Sequence, residues 1–151
     1  MKSIYLWIAG LATVIGLSGC GSDTGDVYDH QVDARRVYFL QTYDDVIGRY
    51  EGVEGVYYEC GRDIVGYTDA LGAFGFDDGD QCTFYDLDGT RSYEYDRLYL
   101  SSRSDGRYAV GDVPYNCASG WSGTTDTKGM FVFDPDYQDS RSDGDICRLS
   151  L

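Results

Sequence analysis

The chain has 151 residues, with 26 acidic and 12 basic side chains, a formal net charge of −14, 15 tyrosines, 20 glycines, 2 prolines and a single histidine. Such an acidic body repels nucleic acid and anionic lipid headgroups; the charge serves solubility, and an electrostatically steered protein partner would be basic. The single histidine, His30, lies in a tether-like stretch, which argues against a serine triad, and a lone histidine builds no histidine-rich metal centre.

In chain order, residues 1–19 come first. Lys2 precedes an apolar run over residues 4–17 (IYLWIAGLATVIGL) that is too short for a comfortable bilayer span. The run closes in Leu17-Ser18-Gly19-Cys20, which resembles the lipobox cut by signal peptidase II in bacterial lipoproteins. That resemblance implies cleavage before Cys20, a diacylglyceryl group on its sulfur and a further palmitate-class chain on its amine, and so a body anchored to the membrane through lipid. Gly21 stands where an aspartate often marks inner-membrane retention, which implies outer-membrane sorting in a Gram-negative cell envelope. A plain secretory signal is the alternative, and it would leave Cys20 as an odd fifth thiol. Residues 20–34 are polar and aperiodic and read as a lipidated flexible tether, with His30 inside it. Removing the leader, which holds Lys2 and no acid, takes the charge from −14 to −15.

From residue 35 onward one unit is written twice, over 35–90 and 91–151. The first copy reads Val56-x-Tyr58-x-Cys60, Gly66-x-Thr68-Asp69-x-x-Gly72-x-Phe74-x-Phe76-Asp77, Gly79-Asp80-x-Cys82-x-Phe84. The second reads Val113-x-Tyr115-x-Cys117, Gly123-x-Thr125-Asp126-x-x-Gly129-x-Phe131-x-Phe133-Asp134, Gly144-Asp145-x-Cys147-x-Leu149. The offset between copies is 57 residues through the second phenylalanine and 65 at the last cysteine, so the second copy carries an eight-residue insertion. Upstream, Arg36-Val37-Tyr38-Phe39 mirrors Arg97-Leu98-Tyr99-Leu100, and Gly48-Arg49-Tyr50 mirrors Gly106-Arg107-Tyr108.

Each copy alternates with period two around Val56, Tyr58 and Cys60, around Phe74 and Phe76, and around Cys82 and Phe84. The segments 68–72 and 125–129 place Asp near the start and Gly where a positive φ is needed, and each predicts a hairpin turn. The expectation is an all-β fold, a disulfide-braced sandwich or a pair of small abutting β units arising from the duplication. Whether the copies share one core stays open. Four cysteines allow three pairings. A unit with two of its own most simply bridges within itself, Cys60 with Cys82 and Cys117 with Cys147, and cross-pairing remains the alternative.

These strings resemble a cysteine-bearing β repeat of bacterial surface lipoproteins and adhesin-like proteins, and the central turn is similar to that of carboxypeptidase-regulatory-like and transthyretin-like sandwiches. The resemblance implies an extracytoplasmic binding or structural module and brings no catalytic residues.

Tyrosines repeated in both copies read as architectural, whereas unpaired ones carry functional suspicion. The alternation of Tyr93-Glu94-Tyr95-Asp96-Arg97-Leu98-Tyr99-Leu100 predicts a strand with Tyr93, Tyr95, Arg97 and Tyr99 on one face, a composition rich in binding hot spots. Trp121 occupies the place of Ile64, and burial is its simpler expectation. Asp134, Asp136, Asp139, Asp143 and Asp145 crowd the insertion and would suit calcium, although Asp139 stands where an EF-hand needs glycine. The leading functional expectation is a cell-envelope lipoprotein, not an enzyme, that binds another envelope component or an external protein or glycan. One alternative is an inhibitor of c-type lysozyme, because Ser104-Asp105-Gly106-Arg107-Tyr108 and Tyr58-x-Cys60 resemble motifs of that inhibitor family. Another is a glycan-acting envelope enzyme using paired carboxylates.

Overall fold

The computed structural model describes residues 36–151. The leader, Cys20 and the tether lie outside the described residues. Eleven strands are described, six from the first copy: β1 (Arg36–Asp44), β2 (Arg49–Gly52), β3 (Tyr57–Cys60), β4 (Ile64–Tyr67), β5 (Ala73–Phe76) and β6 (Gln81–Leu87). The second copy supplies β7 (Arg97–Ser101), β8 (Pro114–Cys117), β9 (Ser122–Thr124), β10 (Met130–Val132) and β11 (Asp145–Ser150).

All pairings are antiparallel, and they build two sheets. The first runs β10-β7-β1-β2, and β5 shares the far side of β1 with β2, along Arg36–Phe39. The second runs β4-β3-β6-β11-β8-β9. Each sheet therefore contains strands of both copies, joined through β1 and β7 in one and β6 and β11 in the other.

The copies are related by a local two-fold arrangement that the register makes explicit. Leu40 faces Leu100 across β1 and β7, and Thr83 faces Arg148 across β6 and β11; in each pair the partners are equivalent residues of the two copies. Backbone bonds repeat accordingly. Leu40 N–H donates to Gly72 O and Leu100 N–H to Gly129 O, both at 2.8 Å. A Cβ on Gly72 would lie 1.9 Å from Leu40 O, and one on Gly129 would lie 2.1 Å from Leu100 O; both glycines also hold positive φ, so the position admits no side chain. The equivalence puts Val37, not Arg36, at the place of Arg97, one residue away from the alignment that the two arginines suggest.

Between the sheets lies one core. Leu40, Phe74, Phe76 and Phe84 of the first copy join Leu98, Leu100, Phe131, Phe133 and Leu149 of the second in a single buried cluster. The Phe74 ring meets Tyr58, Phe76 and Phe84 with centroids 5.7, 6.0 and 4.8 Å apart. The disulfides Cys60–Cys82 and Cys117–Cys147 form within each copy, linking register partners on β3 and β6 and on β8 and β11. Their spans of 22 and 30 residues each correspond to about 3.5 kcal/mol of chain-entropy stabilisation.

The segments 68–72 and 125–129 are not hairpin turns. β4 pairs with β3 and β5 with β1, so residues 68–72 carry the chain from one sheet to the other, and residues 125–129 do the same between β9 and β10. The cause is a buried threonine. Thr68 Oγ1 donates to Val53 O at 2.5 Å and accepts from Val56 N–H at 2.9 Å. Thr125 Oγ1 likewise donates to Val110 O at 2.8 Å and accepts from Val113 N–H at 3.0 Å. Asp69 and Asp126 then bond the backbone N–H groups of Leu71 and Ala73 and of Lys128 and Met130, which holds the turn open for the crossing. Thr68→Val and Thr125→Val each leave a buried donor and acceptor unpaired, and each should cost about 2–3 kcal/mol in denaturant unfolding. Equal losses at the two sites are expected; a neutral effect at either would contradict the geometry.

Candidate functional site

Strand alternation sends Tyr57 and Glu59 of β3, Val65 and Tyr67 of β4, Thr83 and Tyr85 of β6 and Arg148 of β11 to the outer face of the second sheet, while Tyr58, Cys60, Cys82 and Phe84 point to the core. Register places Tyr67 opposite Tyr57, and Tyr85 falls in the same row on β6. The rings form a continuous row, with centroids 5.2 Å apart for Tyr57 and Tyr67 and 5.5 Å for Tyr57 and Tyr85. In the adjacent row Glu59 accepts a hydrogen bond from each flanking phenol, Tyr57 Oη at 3.0 Å and Tyr85 Oη at 2.9 Å. Tyr67 remains 62% exposed.

The second copy tests what this row is for. Its equivalents of Tyr57, Tyr67, Tyr85 and Glu59 are Pro114, Thr124, Ser150 and Asn116, and it still builds the same hairpin, disulfide and sheet. The fold therefore does not require the tyrosines. They are unpaired between the copies, and that signal was available in the sequence, but the rows of β3, β4 and β6 come together only through the pairing.

The first sheet carries another aromatic group on its outer face. Tyr43, Tyr50 and Tyr99 contact one another at 5.0, 5.3 and 6.4 Å. The loop after β7 lies over them: Gln41 Nε2 donates to Ser104 O at 2.7 Å, and Gly106 sits against the Tyr50 ring. Gly106 and its neighbours thus have a packing role. Tyr108, expected to be architectural, is exposed, with Arg103 over its ring at 5.4 Å.

The expected patch of Tyr93, Tyr95, Arg97 and Tyr99 does not form one face. Residues 92–96 are a turn and the strand begins at Arg97, because Asp88 caps a short 3₁₀ turn at Gly89–Arg91 and Tyr95 takes a left-handed φ of 55°. Tyr93 bonds Glu51 at 3.1 Å through its hydroxyl and Thr42 at 2.9 Å through its backbone, beside a cleft of about 320 Å³ that includes Arg91 and Glu54. Tyr95 lies elsewhere, its ring over Gly89, and lines a separate depression together with Trp121. Arg97 forms ion pairs with Glu94 at 3.7 Å and Asp96 at 3.6 Å. Tyr99 is only 5% exposed, and its hydroxyl donates to Glu94 at 2.6 Å. Trp121, for which burial was the simpler expectation, is 53% exposed.

The five aspartates of the insertion do not converge on a common point. Asp145 is fully buried, and its two oxygens accept from Ser119 N–H, Ser119 Oγ, Asp134 N–H and Ile146 N–H. Asp134 and Asp139 use a carboxylate oxygen on the backbone N–H of Asp136 and Arg141. Asp143 is exposed. Among the described residues, the grouping close enough to share an ion is Cys117, Asp145 and Cys147, and both sulfurs are spent in the disulfide. Asp145 instead plays the part of Asp80, whose carboxylate accepts from Asp77 N–H at 2.9 Å.

The chain matches no protein-family model, no curated protein and no solved structure.

Several of these phenols, Tyr57, Tyr85 and Tyr99 among them, are raised above the ordinary tyrosine value. The hydrogen bond to Glu59 is the main cause that raises Tyr57, and burial followed by Glu59 raises Tyr85. Burial, then the bond to Glu94, raises Tyr99 furthest above the ordinary value of 10. A phenol with a raised folded pKa contributes stability that is present below pH 10 and lost as pH climbs through the folded value. An alkaline absorbance titration should show a late phase whose amplitude Tyr99→Phe lowers by one phenol. Glu94→Gln should leave that phase later than pH 10, because burial is the larger cause; a single transition near pH 10 would contradict this assignment.

Proposed function

We propose that the chain is a lipid-anchored binding module of a bacterial cell envelope, sorted to the outer membrane, which works by contact through the tyrosine row of the second sheet. The observation that carries the reading is the divergence of the copies: the same scaffold is built twice, and one copy adds Tyr57, Tyr67, Tyr85 and Glu59 on an open face. Rings already packed side by side lose little freedom on binding and supply apolar area with polar edges, the composition of binding hot spots. Glu59 fixes two of the phenols in place. The partner is another envelope component or an external protein or glycan, and the anchor supports the reading by confining the body to the membrane surface.

Two measurements test its parts. Cys20→Ser should abolish incorporation of labelled palmitate and move the protein out of the membrane fraction; unchanged labelling would remove the anchor. Full-length protein and its Tyr57→Ala, Tyr67→Ala, Tyr85→Ala variant, crosslinked on intact cells, should differ at least tenfold in captured partner. Identical partners at identical yield would exclude this face.

A further inference from the structure

We infer that the cleft between Tyr95 and Trp121 binds a positively charged side chain, arginine or lysine, presented by a basic partner protein. The cleft lies where β10 ends the first sheet and β9 ends the second, and is an open depression of about 540 Å³. Its walls carry Tyr95, Trp121, Asp96, Asp134 and Asp136, with Pro135 at the rim.

Tyr95 is 57% exposed, so two large aromatic side chains stand largely in water in one depression with three carboxylates. The fold does not demand this. In the first copy Ile64 takes the place of Trp121 and packs against the core. The walls are also fixed before any ligand arrives. Phe133 N–H donates to Asp96 O at 3.1 Å, which fastens the Tyr95 side to the floor, and Cys117 N–H donates to Trp121 O at 2.7 Å. Buried Asp145 binds Ser119 and Asp134 N–H together, which joins the segment before Trp121 to the acidic wall. Tyr95 itself is held at φ 55°, and its ring covers Gly89, where a Cβ would come within 2.6 Å of it. Side-chain-bearing residues held in that region cluster at ligand clamps, and a pre-organised wall lowers the ordering cost of binding.

The chemistry of the lining selects the occupant. Aromatic faces attract a cation through the ring quadrupole, and carboxylates attract it directly. Arg97 answers Asp96 from the side, but among the described residues the ion pairs leave Asp134 and Asp136 without a basic partner. The net charge of −14 favours the approach of a basic partner to the body as a whole. A neutral sugar could stack on Trp121 and donate its hydroxyls to the carboxylates, but it would leave the charge of Asp134 and Asp136 uncompensated.

The test uses the full chain carrying Trp7→Phe, so that Trp121 is the one indole emitter. Acetylated tetra-arginine amide should change the Trp121 emission saturably, with affinity that falls as salt rises. Trp121→Ala, followed by calorimetry, and Asp134→Asn with Asp136→Asn should each weaken binding at least tenfold, while Asp45→Asn with Glu54→Gln, remote and exposed, should change it less than twofold. Equal binding of the tetra-citrulline peptide, of chitotetraose or of calcium chloride alone would overturn the proposal. So would loss of affinity that is the same for the remote and the cleft variants. The triple tyrosine variant of the second sheet should bind the peptide normally, so the two sites fail separately.

Discussion

A chain that leaves one sheet and enters the other must withdraw backbone groups from water where no strand can pair them. Here a threonine hydroxyl meets that demand twice, Thr68 for Val53 O and Val56 N–H and Thr125 for Val110 O and Val113 N–H. Everything larger rests on this exchange. Because the corner is satisfied, β4 and β5 can lie in different sheets, the phenylalanines of β5 and β10 can face β6 and β11, and one core can serve both copies. An unpaired donor and acceptor at each corner would cost more than a surface hydrogen bond returns.

Much of this was legible in the residues. The repeated Tyr-x-Cys and Cys-x-Phe or Cys-x-Leu strings mark strands whose cysteines sit opposite each other, and the disulfides formed within each copy. The corners are not legible locally, because Thr-Asp-x-x-Gly has the same turn chemistry whether it reverses a strand or carries it across; the deciding atom, Val53 O, is 15 residues away from Thr68. The alternation from Tyr93 to Leu100 fits a strand equally well, yet the 3₁₀ turn capped by Asp88 and the left-handed Tyr95 postpone it to Arg97. Acid density suggested a cation loop, whereas Asp145 turned inward to serve four protein donors. Local pattern states which groups are present and leaves open which distant group will claim them.

The two copies agree inside and differ outside. Leucine, phenylalanine, cysteine, threonine and glycine recur at equivalent positions, since those positions are constrained by core volume, covalent bridges and backbone approach. Outward positions are free of such constraints, and there the first copy carries a tyrosine row and the second an indole beside acids. A scaffold whose halves stabilise each other can carry different surfaces on its two ends without altering the interior.

The place of β11 bears on how such a body is made. Residues 145–150 lie between β6 and β8, so until that segment is delivered the second sheet consists of two unconnected pieces and Cys147 has no strand on which to meet Cys117. A chain emerging amino end first cannot finish its first half and then its second. It must hold both open, with apolar edges uncovered, until nearly all of it is available, and then close them in one step.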